Sequence, residues 1–245
     1  MFFSLFRSAC LFVPGMLLAF SVQAGIVLNT TRVIYPATDK EVSLGVYNSG
    51  RGEILLQSWL ESGDAAAQPS SLPFVVTPPL VRMDAEGRQL LRIIYAGAEM
   101  PQDRESVFWL NVQEIPQEAS ENALQIAIRQ RIKVFFRPKG LEGDSFKAAE
   151  GLQWRVQNNV LHVENPGAFH VSMVGIELNQ GAHALLKKDS QMLAPRQGLQ
   201  WPLKPGAGNG ALNLLFSSID DFGAQVRYRA SMKGELVTHA DRLEP

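Results

Sequence analysis

The sequence predicts an all-β protein of two β-sandwich domains behind an export segment. Three observations carry that prediction. Apolar residues recur with a period of two in short runs. Those runs are separated by Gly, Asn, Asp and Pro turn signals. The chain's 245 residues also suit two domains of about 100–150 residues each. No stretch sustains the period of an amphipathic helix.

Residues 1–24 carry one charged side chain, Arg7, followed by an apolar run over residues 9–20. The segment ends in Ser21-Val22-Gln23-Ala24, with small or short residues where a signal peptidase cleaving after Ala24 reads them. An apolar run of about a dozen residues is too short to span a bilayer as a mature helix. The only cysteine, Cys10, leaves with this segment. Lys+Arg falls from 23 to 22 against 24 Asp+Glu, so the exported chain carries a net charge of −2. That balance excludes a nucleic-acid binder working by bulk phosphate neutralisation. A cysteine-free mature chain excludes a disulfide framework and any Cys-rich zinc module. No later stretch approaches about 18 consecutive apolar residues, so no membrane insertion is expected of the mature chain.

Taken in order, residues 25–35, 42–47, 54–60, 90–95, 107–115 and 124–136 read as strands. Asn48-Ser49-Gly50, Glu61-Ser62-Gly63-Asp64 and Asp84-Ala85-Glu86-Gly87 punctuate them. A second series follows at 152–156, 160–164, 170–178, 191–193, 212–216 and 224–231. Residues 182–193 also fit a short amphipathic helix, and a strand is the favoured reading there. Short strands at this spacing suit immunoglobulin-like sandwiches of about 100 residues each. The break falls at Pro138-Lys139-Gly140, because proline cannot donate to a strand ladder. This sets domains at 25–139 and 140–245.

The run 124–136 is the most informative segment. Thirteen residues at about 3.3 Å each span roughly 43 Å, whereas strands usually hold about 5–6 residues. Its even positions are Leu124, Ile126, Ile128, Gln130, Ile132, Val134 and Phe136. Two readings stand. Either this is one long core strand with a bend near Gln130, or Leu124, Ile126 and Ile128 present an apolar strand to another protein by strand addition.

No catalytic constellation is found. His162, His170, His183 and His239 occupy no metal-ligand spacing, and no Gly-x-Ser-x-Gly elbow occurs. The glycine-rich 206–210 segment lacks the flanking strand and helix of a nucleotide loop. The sequence therefore predicts a non-enzyme with no cofactor and no metal.

Met100-Pro101-Gln102-Asp103-Arg104-Glu105-Ser106-Val107-Phe108-Trp109-Leu110-Asn111, closing in Glu114-Ile115-Pro116, resembles a signature of the PapD-like periplasmic chaperones of chaperone–usher pilus assembly. Thr31-Arg32, Thr77-Pro78-Pro79, residues 122–138, Glu164-Asn165-Pro166 and Asp221-Phe222-Gly223 also fall in that family's order. The resemblance covers essentially the whole mature chain.

It implies two immunoglobulin-like domains in a boomerang arrangement, located in the periplasm. It also implies a partner, the pilus subunit, whose fold lacks its last strand, and delivery of that subunit to an outer-membrane usher. Leu124, Ile126 and Ile128 would be the donor-strand residues. Arg32 and Lys133 would hold the subunit's C-terminal carboxylate, a role suited to charge-assisted hydrogen bonds. Glu105, Arg137 and Asp221 would form an ion-pair cluster between the domains. The short connection at 116–122 resembles the short-loop subclass, and the Pro78-Pro79 turn resembles a cis-proline turn of the family. The same donor edge gives the free chain a means of self-association.

Overall fold

The computed structural model describes residues 25–63, 72–97, 99–117, 125–205, 210–233 and 235–244. The proposed export segment and Leu124 lie outside that range. The first half contains β1 (Ile26–Leu28), β2 (Arg32–Pro36), β3 (Glu41–Asn48), β4 (Ile54–Ser62), β5 (Phe74–Thr77), β6 (Leu80–Met83), β7 (Arg88–Tyr95), β8 (Ser106–Pro116) and β9 (Arg129–Arg137). They form two facing sheets, ordered β1-β3-β7-β5 and β2-β9-β8-β4-β6. Alternation along each strand drives the inward residues together. Leu44, Leu56, Leu91, Ile93, Leu110 and Val134 are fully buried between the sheets.

After a single 3-10 turn at Ser145–Lys147, the second half contains β10 (Gln153–Gln157), β11 (Val160–Glu164), β12 (Val171–Gln180), β13 (His183–Leu193), β14 (Gly198–Pro202), β15 (Leu212–Ile219), β16 (Gln225–Met232) and β17 (Asp241–Arg242). The sheets are β10-β11-β14 and β13-β12-β15-β16-β17. Trp154 is fully buried at the centre of this core, with ring centroids 5.3 Å from Phe216 and 6.5 Å from Trp201. The two cores share no residue. No helix among the described residues is long and apolar enough to cross a membrane.

The structure departs from the sequence reading in three places. The run 25–35 is not one strand. β1 pairs antiparallel with β3, and β2 pairs parallel with β9, so the chain changes sheets between them. Asn29 secures the crossing, its N–H donating to Gly45 O at 3.1 Å and its Oδ1 accepting from Gly45 N–H at 3.0 Å. The strands β5, β6, β14 and β17 are additional; the first two have four residues each and flank prolines, too short for a period to register. Ser58 ties that turn down, donating from Oγ to Pro78 O at 2.8 Å, and the Thr77–Pro78 bond is cis.

The third departure is the long strand. Its ladder begins at Arg129, opposite Gln113, and one further bond runs from Glu114 N–H to Ile128 O at 3.1 Å. The partner strand then ends at Pro116, which has no N–H to donate. On the other side, β2 begins only at Arg32, opposite Lys133. Among the described residues no strand therefore lies beside 125–132 on that side. The core-strand reading holds from Ile132, 8% exposed, onward; Ile128 and Ile126 are 39% and 66% exposed.

Candidate functional site

β9 presents two rows. The even residues Ile132, Val134 and Phe136 enter the core, and Ile126 and Ile128 continue that row past the end of the ladder. The odd residues Arg129, Arg131 and Lys133 line the outer face. Each of these cations lies over an aromatic ring: Arg129 over Trp59 at 6.0 Å, and Arg131 and Lys133 over Trp109 at 4.2 and 5.7 Å. The formal net charge of −1 gives no hint of this row, because composition averages over the surface.

Arg32 and Lys133 are register partners of the parallel β2–β9 pair. Both reach across to the second sandwich. Arg32 donates from a terminal nitrogen to Ile219 O at 2.8 Å, and Lys133 Nζ donates to Ser172 Oγ at 3.1 Å. Ser172 and Ile219 flank the Met173–Ser218 rung of the β12–β15 ladder, so neighbours on one sandwich meet neighbours on the other. Neither cation forms an ion pair among the described residues. Arg32 is 7% exposed and its Nε has no hydrogen-bond partner. Burial pushes the Lys133 ammonium down to about 8, and the Arg32 charge acts in the same direction. Burial also lowers Arg32, outweighing Asp221, Asp220 and Glu105. A buried Arg32 and a half-buried Lys133, neither with a carboxylate of its own, have the charge and the free donors to meet an anion.

Beside them stands a second cluster. Arg137 donates to Glu105 Oε1 from Nε at 2.8 Å, and to both oxygens of Asp221 at 2.6 and 2.7 Å. Burial alone would lower Arg137, but Asp221 and Glu105 carry it above its ordinary value. Burial alone would raise Asp221, but the Arg137 guanidinium holds it below the usual carboxylate range, with help from Ser145 and Arg32. The structure thus brings Glu105, Arg137 and Asp221 together across the two sandwiches. It adds members that sequence reasoning missed. Ser145 Oγ donates to Asp221 at 2.9 Å, and Glu105 Oε2 accepts the His170 backbone N–H and meets its Nδ1, each at 2.8 Å. Ser145, Ser172 and His170 carry no sequence signal, since each acquires its role only when the two domains meet. A cavity of about 40 Å³ between these groups has room for water but not for a ligand.

Two immunoglobulin-like sandwiches joined by a buried ionic cluster, with an open strand edge, define a binding protein of the chaperone class. The chain belongs to the PapD family of pilus-assembly chaperones. The family model described as pili and flagellar-assembly chaperone, PapD N-terminal domain, matches residues 25–142. The model for the pili assembly chaperone PapD C-terminal domain matches 147–230. This is a periplasmic and non-enzymatic chaperone family.

The chain is 40% identical to the chaperone protein FimB/FhaD of Bordetella pertussis over 227 residues, covering 88% of this chain and 91% of that one. It is 36% identical to the probable fimbrial chaperone YadV of Escherichia coli K12 over 249 residues, 95% of this chain and all of the relative. The crystal structure of YadV superposes with a TM-score of 0.73 at 35% identity, over 85% of this chain and 100% of that one. The Salmonella enterica SafB chaperone, solved in complex with the SafA pilin, superposes with a TM-score of 0.68 at 30% identity, over 89% and 96% of the two chains.

Proposed function

We propose that this chain is exported, cleaved after Ala24, and captures pilus subunits in the periplasm by lending them the open edge of β9. The folding units are 25–139 and 140–245. Residues from Leu124 through Ile126 and Ile128 fill the subunit's incomplete sandwich, supplying main-chain hydrogen bonds and alternating apolar side chains. Arg32 and Lys133 hold the subunit's C-terminal carboxylate, while Glu105, Arg137 and Asp221 keep the two sandwiches oriented around it. The loaded chaperone then delivers the subunit to an outer-membrane usher, and the unloaded edge supports self-association.

The observation that carries this reading is the side of 126–132 with no neighbouring strand among the described residues, which runs directly into buried Arg32 and half-buried Lys133, neither paired with a carboxylate. Co-purification from the periplasm tests it. The wild-type chain should recover pilin subunits, and the Arg32→Ala, Lys133→Ala double variant should recover none while melting cooperatively. Undiminished recovery by the double variant would sink the anchor.

A further inference from the structure

Glu114 is a buried carboxylate with one oxygen, Oε2, left without a hydrogen-bond partner among the described residues. It continues the inward row Phe108, Leu110 and Val112 of β8 and is 5% exposed. Burial raises it above the usual carboxylate range, with the Ile128 N–H acting in the opposite sense. An unpaired carboxylate in such a place is costly unless a cation meets it.

Gly25 packs directly against this carboxylate. A Cβ placed on Gly25 would lie 1.6 Å from Glu114 Oε2, so the Gly25 Cα already touches the carboxylate and a larger residue would have to displace it. Bond lengths then put the Gly25 nitrogen within about 4.6 Å of that oxygen. The residue is held there by its carbonyl, which accepts from Ser49 N–H at 2.9 Å. In the full-length chain this nitrogen is a neutral amide. Hydrolysis of the Ala24–Gly25 bond adds hydroxyl to the Ala24 carbonyl carbon and hydrogen to the Gly25 nitrogen, which then takes up a proton.

We propose that removal of the export segment creates a buried ion pair between the new α-ammonium of Gly25 and Glu114, through which Glu114 positions the start of the open β9 edge. The inference rests on cleavage after Ala24 and on the donor-edge reading given above. The link to the edge is direct. The Glu114 N–H bonds this segment just beyond the ladder, to Ile128 O at 3.1 Å, and Gln130 Nε2 donates to Ile26 O, one residue beyond Gly25, at 2.7 Å. A correctly processed N-terminus therefore braces the segment that a partner strand would meet. Glu114 is a positioning residue.

The test uses the mature chain released at Gly25 from a fusion by a specific protease, compared with the same chain retaining Gln23-Ala24 and with Glu114→Gln. The α-amine of the mature chain, followed by its acylation rate against pH, should titrate about one unit or more above the ordinary 7.7–8.0. It should return to the ordinary value in Glu114→Gln. Amide exchange at residues 128–130 should rise about tenfold in the chain retaining Gln23-Ala24, with no further rise when Glu114→Gln is added. Equal titration in wild type and Glu114→Gln, or equal exchange with and without the two extra residues, overturns the proposal. Should Glu114→Gln fail to fold, the retained-residue comparison decides alone. The mass of the chain recovered from the periplasm checks processing separately: a start other than Gly25 overturns the maturation step, whatever subunit capture shows.

Discussion

Arg137 grips Asp221 with two parallel hydrogen bonds of 2.6 and 2.7 Å, joining the end of β9 to the turn after β15 in the other sandwich. The planar fork makes this contact directional, so it constrains the angle between domains as well as their distance. The third nitrogen of the same guanidinium binds Glu105, whose other oxygen binds His170. One arginine therefore serves two carboxylates from different elements.

Replacing Asp221 by Ala should cost about 2 kcal/mol, because Arg137 keeps Glu105 but loses its bidentate partner in a largely buried site. Urea titration measures the loss, and small-angle scattering should show a broader distribution of domain separations. The native folded value of Asp221 is depressed, so its contribution is present above the ordinary aspartate range and disappears as pH falls through the folded value. Wild type should lose this increment in acid; the variant, lacking it, should not.

The proposed anchor role of Lys133 predicts that capture depends on pH in the alkaline range. Its folded value is lowered to about 8, so burying the cation opposes folding at neutral pH, and that penalty is relieved as pH rises from about 8 towards the ordinary value of 10.5. A bound carboxylate needs the charged form. Affinity for a subunit-derived C-terminal peptide, measured by calorimetry, should therefore fall above pH 8 with proton uptake on binding. Lys133→Ala should remove both effects.

The donor edge and the core should separate along one strand. Ile126→Asp, at a site 66% exposed, should change the melting temperature little and abolish recovery of subunit. Ile132→Asp, six residues on and 8% exposed, should cost about 3 kcal/mol or more by placing a carboxylate in the core. Thermal melts of the two variants decide it. Similar losses would mean that the edge is packed within the domain.

Trp154→Ala should destabilise the second sandwich by about 3–5 kcal/mol. The two cores share no residue, so unfolding followed by near-ultraviolet circular dichroism should become biphasic, with the first sandwich retaining its own transition. A single cooperative transition would show that the interface couples the domains more tightly than their separate cores imply.

Much of this architecture is legible from local pattern. Period-two alternation marks the residues of β3, β4, β7, β8 and β11 to within a residue or two at most ends. The polar spacing of residues 182–193 is read as a strand, and β13 occupies it. The short β5 and β6 escape because four residues between prolines hold barely two alternations. The run 124–136 is misread in length for a different reason. Alternation there continues unbroken, while the ladder with β8 stops at the Gln113–Arg129 rung and that with β2 at Arg32–Lys133.

The sequence by itself determines the all-β class, the period-two faces, the turns and the family motifs, because these depend on residues close together in the chain or on patterns that survive in order. Only the tertiary structure decides which residues meet. The parallel pairing that sets Arg32 beside Lys133 spans about a hundred residues, and the reach of both to Ser172 and Ile219 needs two domains in place. Glu114 makes the same point most sharply. In sequence it is one polar residue in a strand; in the fold it lies beneath Gly25, and burial away from water gives that carboxylate a demand for charge that no local pattern records.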